Sequence, residues 1–285
     1  MRERFQTLSP FTQIVALIAV GAVGYVMISM LSTSIIGELY PEMPTKDLGV
    51  QQEKFPVQFM MMYFLPLQVG FLLLPGLLYA SWTSSNNLTP TPSISGLLWS
   101  VLLFIAVFLL LPFFSELNNW LTEYFGVHGE MLRQKMRSDE QMRRLIGEPH
   151  ELSFIVGIVI VGIITGIAEE FGFRRMLFFH ILQNTGRLWL AVLSSAFLFA
   201  LLHFNYLQFI PLMSFGVALS LMLYYSGSVW VGAVLHAINN IVNLWWLSTD
   251  SFPRWMEEID LTTTIPSTLL LMGLLYFKFY RRRIR

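Results

Sequence analysis

Long stretches with few or no charged residues recur along this chain, and they limit the folds open to it. Apolar runs occupy about 11–36, 56–82, 95–115, 152–172, 188–206, 207–226, 228–248 and 264–280. A bilayer's hydrocarbon core takes roughly 20 apolar residues in helical form. In lipid the backbone must satisfy its own hydrogen bonds, which a helix does within one segment. The runs therefore predict an all-α polytopic membrane protein with about eight transmembrane helices; the polar residues discussed below imply a polar catalytic cavity among them.

Composition agrees with this class. Only 13% of the 285 residues are charged and 55% are hydrophobic, where a soluble domain carries about 25% charged residues. The deficit is expected if most of the chain lies in lipid, so residues 1–285 read as a single integral membrane domain. The formal net charge is zero, and bulk charge thus points to no nucleic-acid partner. The absence of cysteine excludes disulfides, thiolate zinc ligands and a cysteine nucleophile. The first run, Phe11 to Ile36, exceeds the 7–15 residues of a signal-peptide core and reads as a first span.

Polar segments separate the runs. Glu38 to Lys54 is a mixed-charge loop with Pro41 and Pro44, and Thr83 to Ser93 is an uncharged turn region. Glu116 to Glu151 is the longest polar stretch and reads as an exposed helical loop. The competing reading makes it an interfacial amphipathic helix that gates or docks substrate. Very short joints at Asn205-Tyr206 and Ser226-Gly227-Ser228 force antiparallel neighbours. The positive-inside bias places the C-terminus, with Lys278, Arg281, Arg282, Arg283 and Arg285, in the cytoplasm. It opposes the acidic loop of Asp250, Glu257, Glu258 and Asp260, which holds a lone Arg254. Eight spans then put the N-terminus, with Arg2 and Arg4, on the cytoplasmic side too. The same count leaves Arg133, Lys135, Arg137, Arg143 and Arg144 outside. Either one run is re-entrant or that loop is a structured element.

Within this apolar chain, Glu169 and Glu170 directly follow an uncharged run. An ionisable group at membrane depth is costly unless paired, and so marks a functional site. On a helix the two carboxylates point about 100° apart and so have different tasks. Glu170 and Arg174 stand four apart in the favourable ion-pair order, leaving Glu169 as the freer carboxylate. The plainer reading ends the segment at Ala168, with these charges at the interface. His203 closes another apolar run, where a histidine bonded to a backbone carbonyl is the ordinary alternative. His236 and Asn240 share a helix face at i and i+4. Asn239 and Asn243 read as helix–helix contacts, and His128, His150 and His180 are assigned no role.

Together these residues fit two chemistries. In one, Glu169 and His203 activate a water while His236 and Asn240 donate to a developing oxyanion. In the other, the histidines and a glutamate bind zinc, although no His-Glu-x-x-His occurs. Serine chemistry at Ser194 or Ser195 lacks a Gly-x-Ser-x-Gly setting. Two non-proteolytic readings also stand: a membrane scaffold or binding protein, and a transporter using Glu169 and His203 as a proton relay.

The pattern Glu169-Glu170-x-x-x-Arg174, Phe199-x-x-x-His203 and His236-x-x-x-Asn240 resembles the three motifs of the CAAX protease and bacteriocin-processing family. This is the type II CAAX prenyl endopeptidase group, called Abi proteins in bacteria. The resemblance spans residues 157–247. It implies an eight-helix intramembrane endopeptidase that acts on a peptide or protein substrate at the membrane. In that family's pattern Glu169 and His203 would activate water, His236 and Asn240 would form the oxyanion site, and Glu170 and Arg174 would support it. No cofactor is then expected, with zinc as the alternative. The expected location is a bacterial cytoplasmic (inner) membrane. The family motif often ends in Arg-Gly, whereas Arg175 follows Arg174 here, which implies an extra charge near the cavity rim.

Overall fold

The computed structural model describes residues 2–44, 46–83, 91–253, 256 and 261–282. Among these residues the chain is all-helical. In chain order the helices are α1 (Arg2–Gln6), α2 (Pro10–Leu39), α3 (Leu48–Lys54), α4 (Pro56–Trp82), α5 (Ile94–Leu109) and α6 (Leu111–Tyr124). They continue as α7 (His128–Ile146), α8 (Leu152–Thr185), α9 (Leu188–Leu202), α10 (Tyr206–Ser226), α11 (Val229–Thr249) and α12 (Leu261–Arg282). Their starts follow local chemistry. Ser9 and Ser93 accept hydrogen bonds from Thr12 N and Gly96 N, and Pro10 stands at a position where its missing N–H costs nothing.

Of the eight expected spans, α2, α4, α8 and α10 are long and apolar enough to cross a bilayer. The expected 95–115 span is instead α5 followed by α6, bent by 44° at the break. Pro112 explains the bend, because proline offers no N–H and its ring collides with the carbonyl four residues back. Counted as one span, the pair makes five. Helix α9 has 15 residues, or about 22 Å at 1.5 Å per residue, short of a hydrocarbon core. Residues 264–276 are a shorter apolar stretch of α12. Helix α11 has 21 residues but carries His236, Asn239, Asn240 and Asn243. The exposed Phe11, Val23, Met27, Met30 and Leu31 of α2 form an apolar surface that suits lipid contact rather than water. The topology signals at Arg254, Glu257, Glu258, Asp260, Arg283 and Arg285 lie outside the described residues, as does most of the 83–93 turn.

The chain forms two compact units. The first comprises Met1–Leu88, Ser138–Gly186 and Ala233–Ser251. Here glycines set how closely the helices approach. A Cβ on Gly70 would lie 2.5 Å from Tyr25 N of α2. On Gly76 it would lie 2.7 Å from the Phe171 carbonyl of α8. Gly162 and Gly166, one turn apart on α8, face Ile241 and Ala237 of α11, with a Gly166 Cβ falling 2.8 Å from Ala237 N. This Gly-x-x-x-Gly spacing lets two backbones meet. Replacing Gly166 by Val should therefore separate α8 from α11. The expected loss is about 1–3 kcal/mol of stability, read as a lower thermal midpoint in detergent. Gly37, with nothing within 4 Å of its Cβ position, is the control, and Gly37→Ala should not destabilise.

The stretch expected as an exposed helical loop is helical, holding the end of α6 and all of α7. The charged middle of α7 is exposed, with pairs Arg133–Glu130 and Arg144–Glu140. Its last turn is anchored in the first unit. Leu145 packs with Met60 and Ile160, and Ile146 packs with Phe154 and Leu244.

The second unit comprises Thr89–Arg137, Arg187–Gly232 and Phe252–Arg285. Helices α9 and α10 pack on each other as their short joint requires, with Gly216 against Ala196. Asn118 of α6 clamps the start of α10, donating to Leu207 O at 2.8 Å and accepting from Ile210 N at 3.0 Å. Trp99 of α5 donates to Leu274 O of α12.

Candidate active site

Helix α8 does not end at Ala168. It runs on to Thr185, 34 residues in all from Leu152, and Gly186 in the left-handed region (φ 65°) closes it. Glu169 and Glu170 thus stand near the middle of a helix and are buried, not placed at an interface. From Glu170 to Phe178 the helix is wound in the wider i→i+5 pattern, as it also is at Ile158–Ile164.

Glu170 is the hub. Its Oε1 lies 3.0 Å from Arg174 Nη1, with side-chain exposures of 1% and 0%. The same oxygen lies 3.1 Å from His236 Nδ1. A carboxylate that binds a guanidinium is an acceptor, so Nδ1 carries the hydrogen. That bond fixes the ring, and its other nitrogen, Nε2, lies 3.6 Å from Glu169 Oε2. His236 therefore stands between the two carboxylates, at hydrogen-bond distance from Glu170 and beyond it from Glu169. The contact exists because Gly166 lets Ala237, the next residue, lie against α8.

Asn240, one turn beyond His236, directs Nδ2 to Val161 O at 3.5 Å. That is the outer limit of a hydrogen bond, so the amide is only weakly tethered. His203 belongs to the second unit. Its Nδ1 lies 2.6 Å from Phe199 O, four residues back, and its ring meets that of Phe199 at 4.4 Å between centroids. A carbonyl can only accept, so Nδ1 carries a hydrogen. Phe204, just beyond, is left-handed (φ 51°) and ends the helix there.

Arg175, expected near the rim, is buried instead, with its guanidinium 5.1 Å from the Phe179 ring centre. His180 is also buried, and its Nε2 meets Pro10 O at 3.0 Å. It ties α8 to the start of α2 and has a structural role. Among the described residues no group of three His, Cys, Asp or Glu side chains is placed to hold a metal ion.

Residues 151–242 match the family model of the Rce1-like type II CAAX prenyl endopeptidases. The Rce1-like segment holds Glu169, Glu170, Arg174, His203, His236 and Asn240. The similarity extends over about a third of the chain. Comparison with curated proteins and with solved structures found no match.

Proposed function

We propose that the protein is an intramembrane endopeptidase that hydrolyses a peptide bond near the membrane surface, with Glu169 as the group that activates water. The observation that carries this reading is the placement of His236 between Glu169 and Glu170. Glu170 and Arg174 hold the imidazole from one side, and its other nitrogen faces Glu169 Oε2 at 3.6 Å.

In this mechanism Glu169, assisted by His203, takes a proton as the water oxygen bonds to the scissile carbonyl carbon. The carbonyl oxygen becomes an oxyanion, stabilised by Nε2–H of His236 and the Asn240 amide. Collapse breaks the C–N bond, and Glu169 returns the proton to the leaving amine. One water is consumed, and a carboxylate and an amine are formed. Glu170 orients the imidazole, as a carboxylate does in a catalytic triad, and Arg174 balances its charge. This route needs no cofactor, and zinc hydrolysis is its competitor. Substrate class, a bacterial inner-membrane location, cytoplasmic termini, eight spans and a polar cavity belong to the same proposal.

The test compares peptides in membranes from cells making the wild-type protein or Glu169→Gln. A product lost in the variant supports the reading, and identical peptide sets overturn it in favour of a scaffold. His203→Ala should lower formation of the same product about 10²–10⁴-fold, the usual range for a general base. Undiminished turnover would remove His203 from the mechanism.

A further inference from the structure

Helix α4 carries a buried polar side chain for which the chemistry above has no use. Gln68 is 7% exposed, and its Oε1 is buried with no hydrogen-bond partner among the described residues. A buried amide oxygen left unmatched is costly, and such groups in native structures ask for an explanation. The neighbouring helix contacts show where it stands. Gly70, two residues on, makes the close contact with α2. Pro66–Leu73 take the wider i→i+5 winding, and there, as at about 100° per residue in an α-helix, residues two apart such as Gln68 and Gly70 lie on nearly opposite sides of α4. Leu72, one turn on from Gln68, touches Gly172 of α8, and Gly76, two turns on, meets Phe171. Gln68 thus stands on the stripe that α4 lays along α8.

The level along α8 follows from the same contacts. Met60 packs with Ile160 and Leu72 with Gly172, so the two helices run parallel here. Gln68 falls between these contacts, and residues 66–73 pack along Thr165–Glu169. That is the turn holding Glu169. All of these residues belong to the first unit, together with His236 and Asn240.

We propose that Gln68 is a substrate-binding residue of this site, whose amide pairs with the backbone of an extended peptide beside the scissile bond. The inference rests on the proteolytic reading above. A side-chain amide offers an acceptor and two donors, matching the carbonyl and N–H of a peptide in any sequence context. A helix–helix contact would instead show the amide bonded to a neighbouring helix.

The probe is a synthetic, internally quenched copy of the peptide whose processing Glu169→Gln abolishes. The variant is Gln68→Met, of similar length but without the amide. KM should rise about tenfold with kcat changed less than about twofold, the signature of lost uniform binding. The thermal midpoint should hold or rise, because an unmatched buried polar group is removed. An unchanged KM, or a lowered midpoint, would overturn the inference while leaving Glu169 in place. If Glu169→Gln abolishes no peptide's processing, the proteolytic reading fails and the Gln68 assignment fails with it.

Discussion

Glu169→Gln abolishes peptide hydrolysis, by about 10²–10⁴-fold or to background, while the protein stays folded. The substitution keeps shape and hydrogen-bonding reach but removes the basic oxygen that would take the proton from water. It also replaces the carboxylate 3.6 Å from His236 Nε2 by an uncharged amide. Stability should not fall, because an amide carries no charge to compensate in a buried position. Zinc assayed on the purified wild-type protein separates two mechanisms for the same loss. Stoichiometric zinc would reassign the activated water to a metal. Turnover that persists in chelator-treated protein would keep it with the carboxylate. Retained hydrolysis in Glu169→Gln would end the glutamate assignment.

Arg174→Met unfolds the first unit or destabilises it by about 3–5 kcal/mol, the cost of leaving one member of a buried ion pair uncompensated. Arg174 is fully buried and Glu170 nearly so. Without the guanidinium, the Glu170 carboxylate keeps the His236 imidazole at 3.1 Å but loses its cationic partner at 3.0 Å. The double variant Glu170→Gln with Arg174→Met should recover more than half of that loss, because no unpaired charge remains. It should not recover hydrolysis, since His236 loses the carboxylate that orients it. Thermal unfolding of the four proteins in one detergent gives the coupling directly. Additive effects of the two substitutions would show that the pair is not an energetic unit.

Contacts between residues one helical turn apart were legible in the sequence. The Glu170–Arg174 pair needed only that residues 170 to 174 be helical. The shared face of His236 and Asn240 needed no more. The count of spans was less legible. Helix α11 is long enough to cross a bilayer, but its histidine and asparagines lower its hydropathy, so length and apolarity disagree there. Nor did the 95–115 run declare where Pro112 would break it. The buried place of Arg175 was hidden for a related reason, since a charged residue in a motif gives no sign of its depth.

The sequence by itself determined the membrane class, the helical architecture and a short set of candidate residues. Bilayer thickness sets run length, and helix geometry sets which residues share a face. Only the tertiary structure decided that His236 stands between Glu169 and Glu170, 66 residues from the latter in sequence. The Gly162–Gly166 spacing was visible in the chain, but spacing does not name the helix that fills it. Packing against Ile241 and Ala237 does. That close backbone approach brings an imidazole from one helix to two carboxylates on another, and no local pattern encodes it.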